Sequence, residues 1–486
     1  MTSEPTGHPR GLRTLFFTEM WERWSYYGMR ALMVPFMTMA SGGIGLEKKE
    51  AMAIFGLYLA TVYASAFPGG WVGDRLMGTK RAVWWGGVAI ALGHLVLAMH
   101  GRTPFFLGLL IIALGSGLLK SNMSALVGLL YPEGGQRRDA GFTIFYMGIN
   151  LGAFVGPLIS GWLQQSEGMG WRWAFGSATA GMFLGLVQWQ LTRKALEGVG
   201  ERIDHPGQNL KREWGLLCAA LLALAAVVIL CVSGVITLDP VWLAHAVTMV
   251  ISVVAALFFA WLLLFGGLDG DERARVGLII MLFGICALFW AGFEQMGSSF
   301  NVFAEEHTVR EIGSWVIPTA WFQSVNPLFV ILFSPVVALL WQVLGRRGIS
   351  LSMTTKMGVA MLLLALGFGL AVLAAHRALD VGKVWPLWLL GIYLCHTLGE
   401  LCLSPVGLSA VTKLSPHRYT GQMMGIWFLG TSLGDVLSGI IAGEVSGDAM
   451  TAMPVIFTRV VWISSIAGLL LLIFAKPLQK LARGVK

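Results

Sequence analysis

The chain has 486 residues, of which 56% are hydrophobic and only 12% are charged, and its mean hydropathy is +0.72. A soluble protein would carry about 25% charged residues, so this composition argues against a soluble protein and indicates a polytopic membrane protein. The net charge of +8 does not indicate a nucleic-acid partner. Lys and Arg in the loops of a membrane protein set its orientation and contact anionic lipid head groups.

Fourteen apolar segments are each long enough to cross a bilayer as a helix, which needs about 20 residues. The strand alternation of a membrane barrel is not visible, so we predict an all-α polytopic membrane protein. The segments form a set of six, a central pair and a second set of six: 13–40, 50–73, 79–100, 104–130, 139–165 and 171–193, then 214–236 and 240–267, then 275–303, 314–344, 350–376, 384–411, 418–444 and 454–476.

A polar stretch from Thr192 to Glu213 separates the first six segments from the central pair. Short loops that carry Arg137-Arg138 and Arg346-Arg347 fall on the same side of the membrane as this stretch. The positive-inside rule assigns that side to the cytoplasm. Because the number of segments is even, both termini are predicted to be cytoplasmic.

The two sets of six segments look like distant copies with a basic loop after the second segment of each. The first loop reads Gly70-Trp71-Val72-Gly73-Asp74-Arg75, and the second contains Gly345-Arg346-Arg347-Gly348. This arrangement resembles the major facilitator superfamily, which implies two six-helix bundles with a substrate cavity between them. We therefore expect an N-terminal bundle (1–195), a linker with two extra helices (196–268) and a C-terminal bundle (269–486).

A polar stripe lies inside the first apolar segment, where charges are costly. Its members recur every three or four residues and share one helix face. They are Glu19, Glu22, Arg23, Tyr26, Tyr27 and Arg30. Since a charged side chain costs a few kcal/mol in lipid, this face must point toward protein or a water-filled path.

Other ionisable residues lie deep in later segments: Lys120 in the first set, and Glu294 and Glu400 in the second, with Asp435 a weaker case. Static ion pairs alone are a poor explanation, because buried pairs stabilise less than apolar packing does. With Glu19 set aside, the first set offers mostly cations and the second offers carboxylates. This distribution suits a zwitterion with separated charges, and glutamates in such a cavity can also exchange protons.

Several uncharged side chains could add hydrogen bonds or aromatic surface to such a cavity: Asn150, Asn326, Tyr63, Trp290 and Trp427. By position alone, packing and ligand contact are equally compatible with the aromatic residues.

Four stretches resemble the motifs of the proton-coupled oligopeptide transporter (POT) family. They are Glu19-x-x-Glu22-Arg23-x-x-Tyr26-Tyr27-Gly28, Lys120-Ser121-Asn122, Phe145-Tyr146-x-x-Ile149-Asn150-x-Gly152 and Gly399-Glu400-Leu401-x-Leu403-Ser404-Pro405-Val406-Gly407. The central helix pair resembles bacterial members with fourteen spans. The resemblance implies proton-driven import of di- and tripeptides by alternating access across a bacterial inner membrane, with no cofactor.

The resemblance also implies residue roles. Arg23, Arg30 and Lys120 would contact the peptide carboxylate, and Asn150, Asn326 and Glu400 the amino end. Tyr26, Tyr27, Tyr63, Trp290 and Trp427 would line side-chain pockets, and Ser404 would join the substrate-binding set. The proton-coupling set would be Glu19, Glu22, Arg23, Arg30, Lys120, Glu294 and Glu400. The chain departs from the family at Trp24, Ser121 and Phe293, and it lacks the second-segment histidine of animal members.

Two other functions remain open at this stage. One is a major facilitator that moves another small solute, a drug or an anion, although Glu400 would repel an anion. The other is a membrane enzyme, since His396 and Glu400 are four residues apart and could share a metal. That pair lacks further ligands, and the five cysteines show no metal-binding spacing, so we expect neither a metal site nor an enzyme.

Overall fold

The computed structural model describes residues 7–99, 101–132, 135–202, 209–347, 351–447 and 449–482. Residues 203–208 of the predicted linker therefore lie outside the described residues. Packing divides the chain into two compact units. Unit 1 comprises Met1–Leu32 and Ala64–Asp239, and unit 2 comprises Met33–Tyr63 and Pro240–Lys486. The division falls inside the first helix and at the end of the second.

The first half of the chain is helical in its described parts. The helices are α1 Arg10–Thr38, α2 Lys48–Ala64, α3 Ala66–Trp71, α4 Thr79–Leu97, α5 Arg102–Leu129, α6 Gly135–Gln165, α7 Gly170–Thr192, α8 Leu210–Val232 and α9 Pro240–Phe265. A π-helical turn, Val72–Met77, continues α3 and ends at Gly78, whose φ of 84° reverses the chain before α4. A 3₁₀ turn, Arg193–Leu196, follows α7.

The second half is also helical where it is described. The helices are α10 Gly270–Phe293, α11 Ser299–Glu306, α12 Val325–Arg346, α13 Met353–Val381, α14 Leu387–Leu414, α15 Thr420–Gly447, α16 Ala449–Ile473 and α17 Ala475–Leu481. The 3₁₀ turns are Glu294–Gly297, Thr319–Ser324 and His417–Tyr419. One short hairpin pairs β1 Glu311–Ile312 with β2 Trp315–Val316 in antiparallel register.

The prediction of an all-helical membrane protein is confirmed. Thirteen of the fourteen predicted segments coincide with a helix or with helices in close succession, and the segment predicted at 314–344 begins in a hairpin strand and becomes helical from Thr319. Among the described residues, eleven helical stretches are long and apolar enough to cross a membrane. The other three predicted segments correspond to α1, α4 and α7, which are helices of 29, 19 and 23 residues. Helix α1 carries the charged stripe, which lowers its hydropathy.

The two central helices differ in how they pack. Helix α9 belongs to unit 2 and buries Ala244, Ile251 and Leu262, among others, in contact with α10 and α15. Helix α8 belongs to unit 1 and has no buried residue. Its Glu213 forms an ion pair with Arg75, at 3.4 Å between Nη1 and Oε1. The sequence analysis treated these two segments as one pair, and their packing separates them.

The segment after α7 docks onto the start of α4. Lys80 Nζ lies 2.7 Å from Glu201 Oε1, and the Lys80 amide donates a hydrogen bond to Gly200 O at 3.1 Å. The Lys80 ammonium lowers the pKa of the Glu201 carboxyl by hydrogen bonding to it. Thr79 Oγ1 also donates to Gly200 O, at 3.3 Å. These contacts fix the beginning of the polar linker within unit 1.

Candidate substrate-binding groups

The α1 stripe is buried in unit 1. Glu19, Glu22, Arg23 and Arg30 are all 7% exposed or less. Arg23 Nε donates to Glu19 Oε1 at 2.7 Å and lies 2.9 Å from Glu22 Oε2. Neither Glu22 oxygen receives a hydrogen bond from the described residues, so Glu22 is held by charge alone. The arginine is therefore neutralised by two carboxylates of its own helix.

Tyrosine rings connect the cations of unit 1. Arg23 Cζ and Lys120 Nζ lie 5.8 and 4.9 Å from the Tyr26 ring centroid, and Arg30 Cζ lies 5.6 Å from that of Tyr27. A cation over an aromatic face is attracted by the negative face of the ring. The two rings meet edge to face at 5.2 Å. Lys120, from α5, thus joins the α1 stripe, and the structure brings all three predicted carboxylate-binding cations into one unit.

Glycines allow α1 and α6 to approach at backbone distance. A Cβ built at Gly28 would lie 3.2 Å from Gly156 O, and one at Gly152 would lie 2.9 Å from Arg23 Cβ. Ser160 Oγ donates to Gly28 O at 3.0 Å across the same contact. Asn150 lies on α6, is 6% exposed, and donates from Nδ2 to Tyr146 O at 2.9 Å. The motif glycines therefore set the position of the stripe.

A hydrogen-bonded cluster in unit 2 joins α12 and α14. Asn326 Nδ2 donates to Glu400 Oε2 and to Thr397 Oγ1, each at 3.0 Å. Thr397 Oγ1 donates in turn to Tyr393 O at 2.7 Å. Ser404 follows Glu400 by one helical turn, and its buried Oγ has no hydrogen-bond partner among the described residues. Two of the three predicted amino-end groups, Asn326 and Glu400, are thus in direct contact, whereas the third, Asn150, belongs to unit 1.

Glu294 sits where the helical segment of α10 and α11 is interrupted. It is 4% exposed and begins the 3₁₀ turn that follows Phe293. Every residue from Ala291 to Phe300 is buried. The Trp290 ring lies on the same face and contacts the Phe293 ring at 5.1 Å between centroids. The break therefore places the Glu294 carboxyl group inside the protein, where it is shielded from lipid.

The remaining predicted residues lie in unit 2. Trp427 is 5% exposed, and its ring occupies the space that a Cβ at Gly407 would take. Tyr63 is half-buried near the end of α2. Asp435 is fully buried on α15. Trp427 therefore packs against α14, the helix that carries Glu400. The contact is at Gly407, one helical turn after Ser404.

The metal alternative gains no support from the described residues, which contain no group of three His, Cys, Asp or Glu side chains that could hold an ion. His396 is fully buried, and its ring packs against those of Phe368, Phe300 and Phe293 at 5.1, 5.8 and 6.5 Å between centroids. The His396 ring is therefore part of an aromatic cluster and packs as an aromatic residue.

Sequence reasoning missed Thr397. It lies three residues before Glu400, and Ser404 lies four residues after it, so the three polar side chains share one face of α14. That i, i+3, i+7 pattern was visible in the sequence. The hydrogen bond from Asn326 was not visible, because it depends on how α12 packs against α14.

The chain is similar in sequence to known proteins over most of its length. The sequence model of the POT family matches residues 80–456. The chain is 41% identical to the peptide transporter YePEPT of Yersinia enterocolitica subsp. palearctica, over 98% of this chain and 95% of the relative. It is 36% identical to a di-/tripeptide transporter of Lactococcus lactis subsp. lactis, over 99% of this chain and 98% of the relative.

A solved structure is similar over the same length. The crystal structure of a peptide transporter POT in complex with sulfate matches with a TM-score of 0.90 and 37% identity, covering 99% of this chain and 97% of that chain. The match extends through both units, which confirms the predicted major facilitator fold. The motif resemblance, the family match and the full-length likeness agree, and the chain belongs to the POT family.

Proposed function

We propose that this protein is a proton-coupled symporter that imports di- and tripeptides by alternating access. The observation that carries the proposal is the sorting of charge between the two units. Unit 1 groups Arg23, Arg30 and Lys120 around two tyrosine rings, and unit 2 holds the Glu400 carboxylate against an amide. Relatives of this chain are named peptide transporter and di-/tripeptide transporter, and their names support the same substrate class.

The two groups of charges suit the two ends of a peptide. The carboxylate is a bidentate acceptor for a guanidinium and a strong partner for an ammonium, so Arg23, Arg30 and Lys120 bind that end. The peptide ammonium is a donor only, so it needs acceptors, which Glu400 and Asn326 supply. The side chains of the peptide contact aromatic residues such as Tyr63, Trp290 and Trp427. Because recognition rests on the two termini of the peptide, these side chains can vary.

Protons drive the transport in this proposal. Glu19, Glu22, Glu294 and Glu400 are the carboxylates that can load and release a proton within the membrane, and Arg23, Arg30 and Lys120 respond to their charge. A positive charge that moves down a potential of about 100 mV releases about 2.3 kcal/mol. When Glu294 takes up a proton, its buried negative charge is removed. A cation can then no longer use Glu294 as an ion-pair partner.

The proposal includes the placement in the membrane. The protein lies in a bacterial inner membrane with both termini in the cytoplasm, as the basic loops indicate. The functional division is 1–195, 196–268 and 269–486, with the two extra helices outside the transporting bundles. The chain acts as a transporter, and no catalytic step is assigned to it.

The test is uptake of a labelled dipeptide into vesicles that contain the purified protein. With an imposed proton gradient, acidic outside, the vesicles should concentrate the dipeptide above the external level, and a proton ionophore should abolish this. Uptake that is unchanged by the ionophore would contradict proton coupling. Uptake of a drug or a simple anion, with no uptake of dipeptide, would support the alternative solute class instead.

A further inference from the structure

The hydrogen bonds of Asn326 and Thr397 leave a single consistent pattern of donors and acceptors. A carboxamide has two N–H donors and one carbonyl acceptor. Asn326 Nδ2 uses both donors, one on Glu400 Oε2 and one on Thr397 Oγ1. Thr397 has one hydroxyl hydrogen, which it donates to Tyr393 O. The Thr397 hydroxyl can therefore only accept from Asn326.

This pattern fixes which way the amide points. If the amide were turned over, Oδ1 would face the Glu400 carboxylate and the lone pairs of Thr397, and both contacts would be repulsive. In the observed orientation Oδ1 accepts no hydrogen bond from the described part of the chain. It is also not fully buried, so a ligand can reach it. Oδ1 is thus the one polar atom of Asn326 left to accept from a ligand.

Thr397 is well placed to enforce this orientation. Its side chain is fully buried, and the residue that accepts its hydroxyl hydrogen, Tyr393, is 1% exposed. A threonine hydroxyl that bonds the carbonyl four residues earlier has little rotational freedom in a helix. Glu400 alone could not orient the amide equally well, because a single hydrogen bond leaves the amide free to swing about it.

We propose that Thr397 is a positioning residue for substrate recognition. It holds the Asn326 amide so that Oδ1 and the Glu400 carboxylate together present two acceptors to the substrate ammonium. This inference rests on the proposed function, since it assumes a substrate with a free amino group. Thr397 thus contributes to selectivity for a free amino group without itself contacting the peptide.

The experiment measures competition against labelled dipeptide uptake in proteoliposomes under a fixed proton gradient. The competitors are an unlabelled dipeptide and its N-acetylated form, and the readout is the ratio of their apparent affinities. Thr397→Val replaces the hydroxyl with a methyl of the same size, and Thr397→Ser keeps the hydroxyl. Thr397→Ala serves as a second variant if the valine variant gives too little folded protein.

We expect Thr397→Val to reduce the ratio by roughly three- to tenfold, the effect of one hydrogen bond, through weaker binding of the free dipeptide alone. Thr397→Ser should keep the ratio of the unaltered protein. If only the volume of the side chain mattered, the valine variant would keep the ratio and the serine variant would change it, which is the opposite result. An unchanged ratio in the valine or alanine variant, or an equal loss in the serine variant, would overturn the inference. If the unaltered protein itself failed to discriminate, the proposed function would fail, and this inference with it.

Discussion

The charged groups of the two units are stabilised in different ways. In unit 1 the Arg23 guanidinium is paired with Glu19 and Glu22, which lie on the same helix, so its charge is largely balanced in place. In unit 2 the Glu400 carboxylate accepts a hydrogen bond from the neutral amide of Asn326. An ion pair cancels charge, whereas an amide satisfies a lone pair and leaves the charge in place. Under the proposed function, a substrate carboxylate would have to compete with Glu19 and Glu22 for Arg23, whereas Asn326 adds no charge of its own beside Glu400.

The supporting structure differs in the same way. Backbone contact between glycines of α1 and α6 sets the position of the stripe in unit 1. Side-chain hydrogen bonds between α12 and α14 set the position of Glu400 in unit 2. The α1–α6 contact should therefore be sensitive to added volume, and the α12–α14 cluster to the loss of a donor or acceptor.

The largest effect is expected when Arg23 is replaced by glutamine. Glu19 and Glu22 would then be buried without their cation, and removal of one partner of a buried pair costs about 3–5 kcal/mol. The unfolding temperature of the purified protein should fall clearly. Replacing all three residues, as Glu19→Gln, Glu22→Gln and Arg23→Gln together, should recover most of the stability but not transport.

An Arg23→Gln protein as stable as the unaltered one would show that the carboxylates do not depend on Arg23. The contrast between a balanced unit 1 and a charged unit 2 would then be wrong.

A smaller effect is expected from Gly152→Ala. The added methyl group would contact the Met20 carbonyl and lie 2.9 Å from both Arg23 Cβ and the Trp24 amide nitrogen. Overpacking of this kind costs about 1–3 kcal/mol. The matched control is Gly176→Ala on α7, where nothing lies within 4 Å of the new Cβ and alanine favours the helix. Thermal unfolding should show destabilisation in the first variant and none in the second, and equal shifts would contradict the role of the α1–α6 contact.

The smallest effect is expected at the exposed pair of Lys80 and Glu201. The folded-state pKa of Glu201 is lowered, so the pair stabilises the protein above the ordinary glutamate pKa, and this is lost as the pH falls through the lowered value. Because the Glu201 side chain is 54% exposed, the contribution is below about 1 kcal/mol. Glu201→Gln should unfold slightly earlier at about pH 7, and its difference from the unaltered protein should shrink as the pH falls through the lowered pKa of Glu201. A larger gap at the acid end would contradict the assignment.

Hydropathy predicted the helices well, because each apolar segment is longer than a bilayer requires. It could not predict the 3₁₀ break at Glu294–Gly297 or the π-helical turn at Val72–Met77, since both occur within stretches that remain helical in composition. It also predicted a segment from 314, whereas Trp315–Val316 belongs to a hairpin and α12 begins at Val325.

The candidate site shows the same limit. The spacing on α1 predicted the stripe, because its members lie on one helix and their relation follows from periodicity alone. Thr397 needed the packing of a second helix, because its role arises from a donor that Asn326 brings from α12. Contacts within one helix are encoded locally, and contacts between helices depend on the fold.

The most direct test of the central account asks whether each unit recognises one end of the peptide. Uptake of a labelled dipeptide would be measured against N-acetylated and C-amidated competitors in the unaltered protein, Glu400→Gln and Lys120→Gln, with Glu444→Gln, an exposed carboxylate on α15, as the control. We expect Glu400→Gln to lose discrimination against the acetylated form only, and Lys120→Gln against the amidated form only, by about tenfold or more. If both variants weakened discrimination at both ends equally, the assignment of one end to each unit would be contradicted.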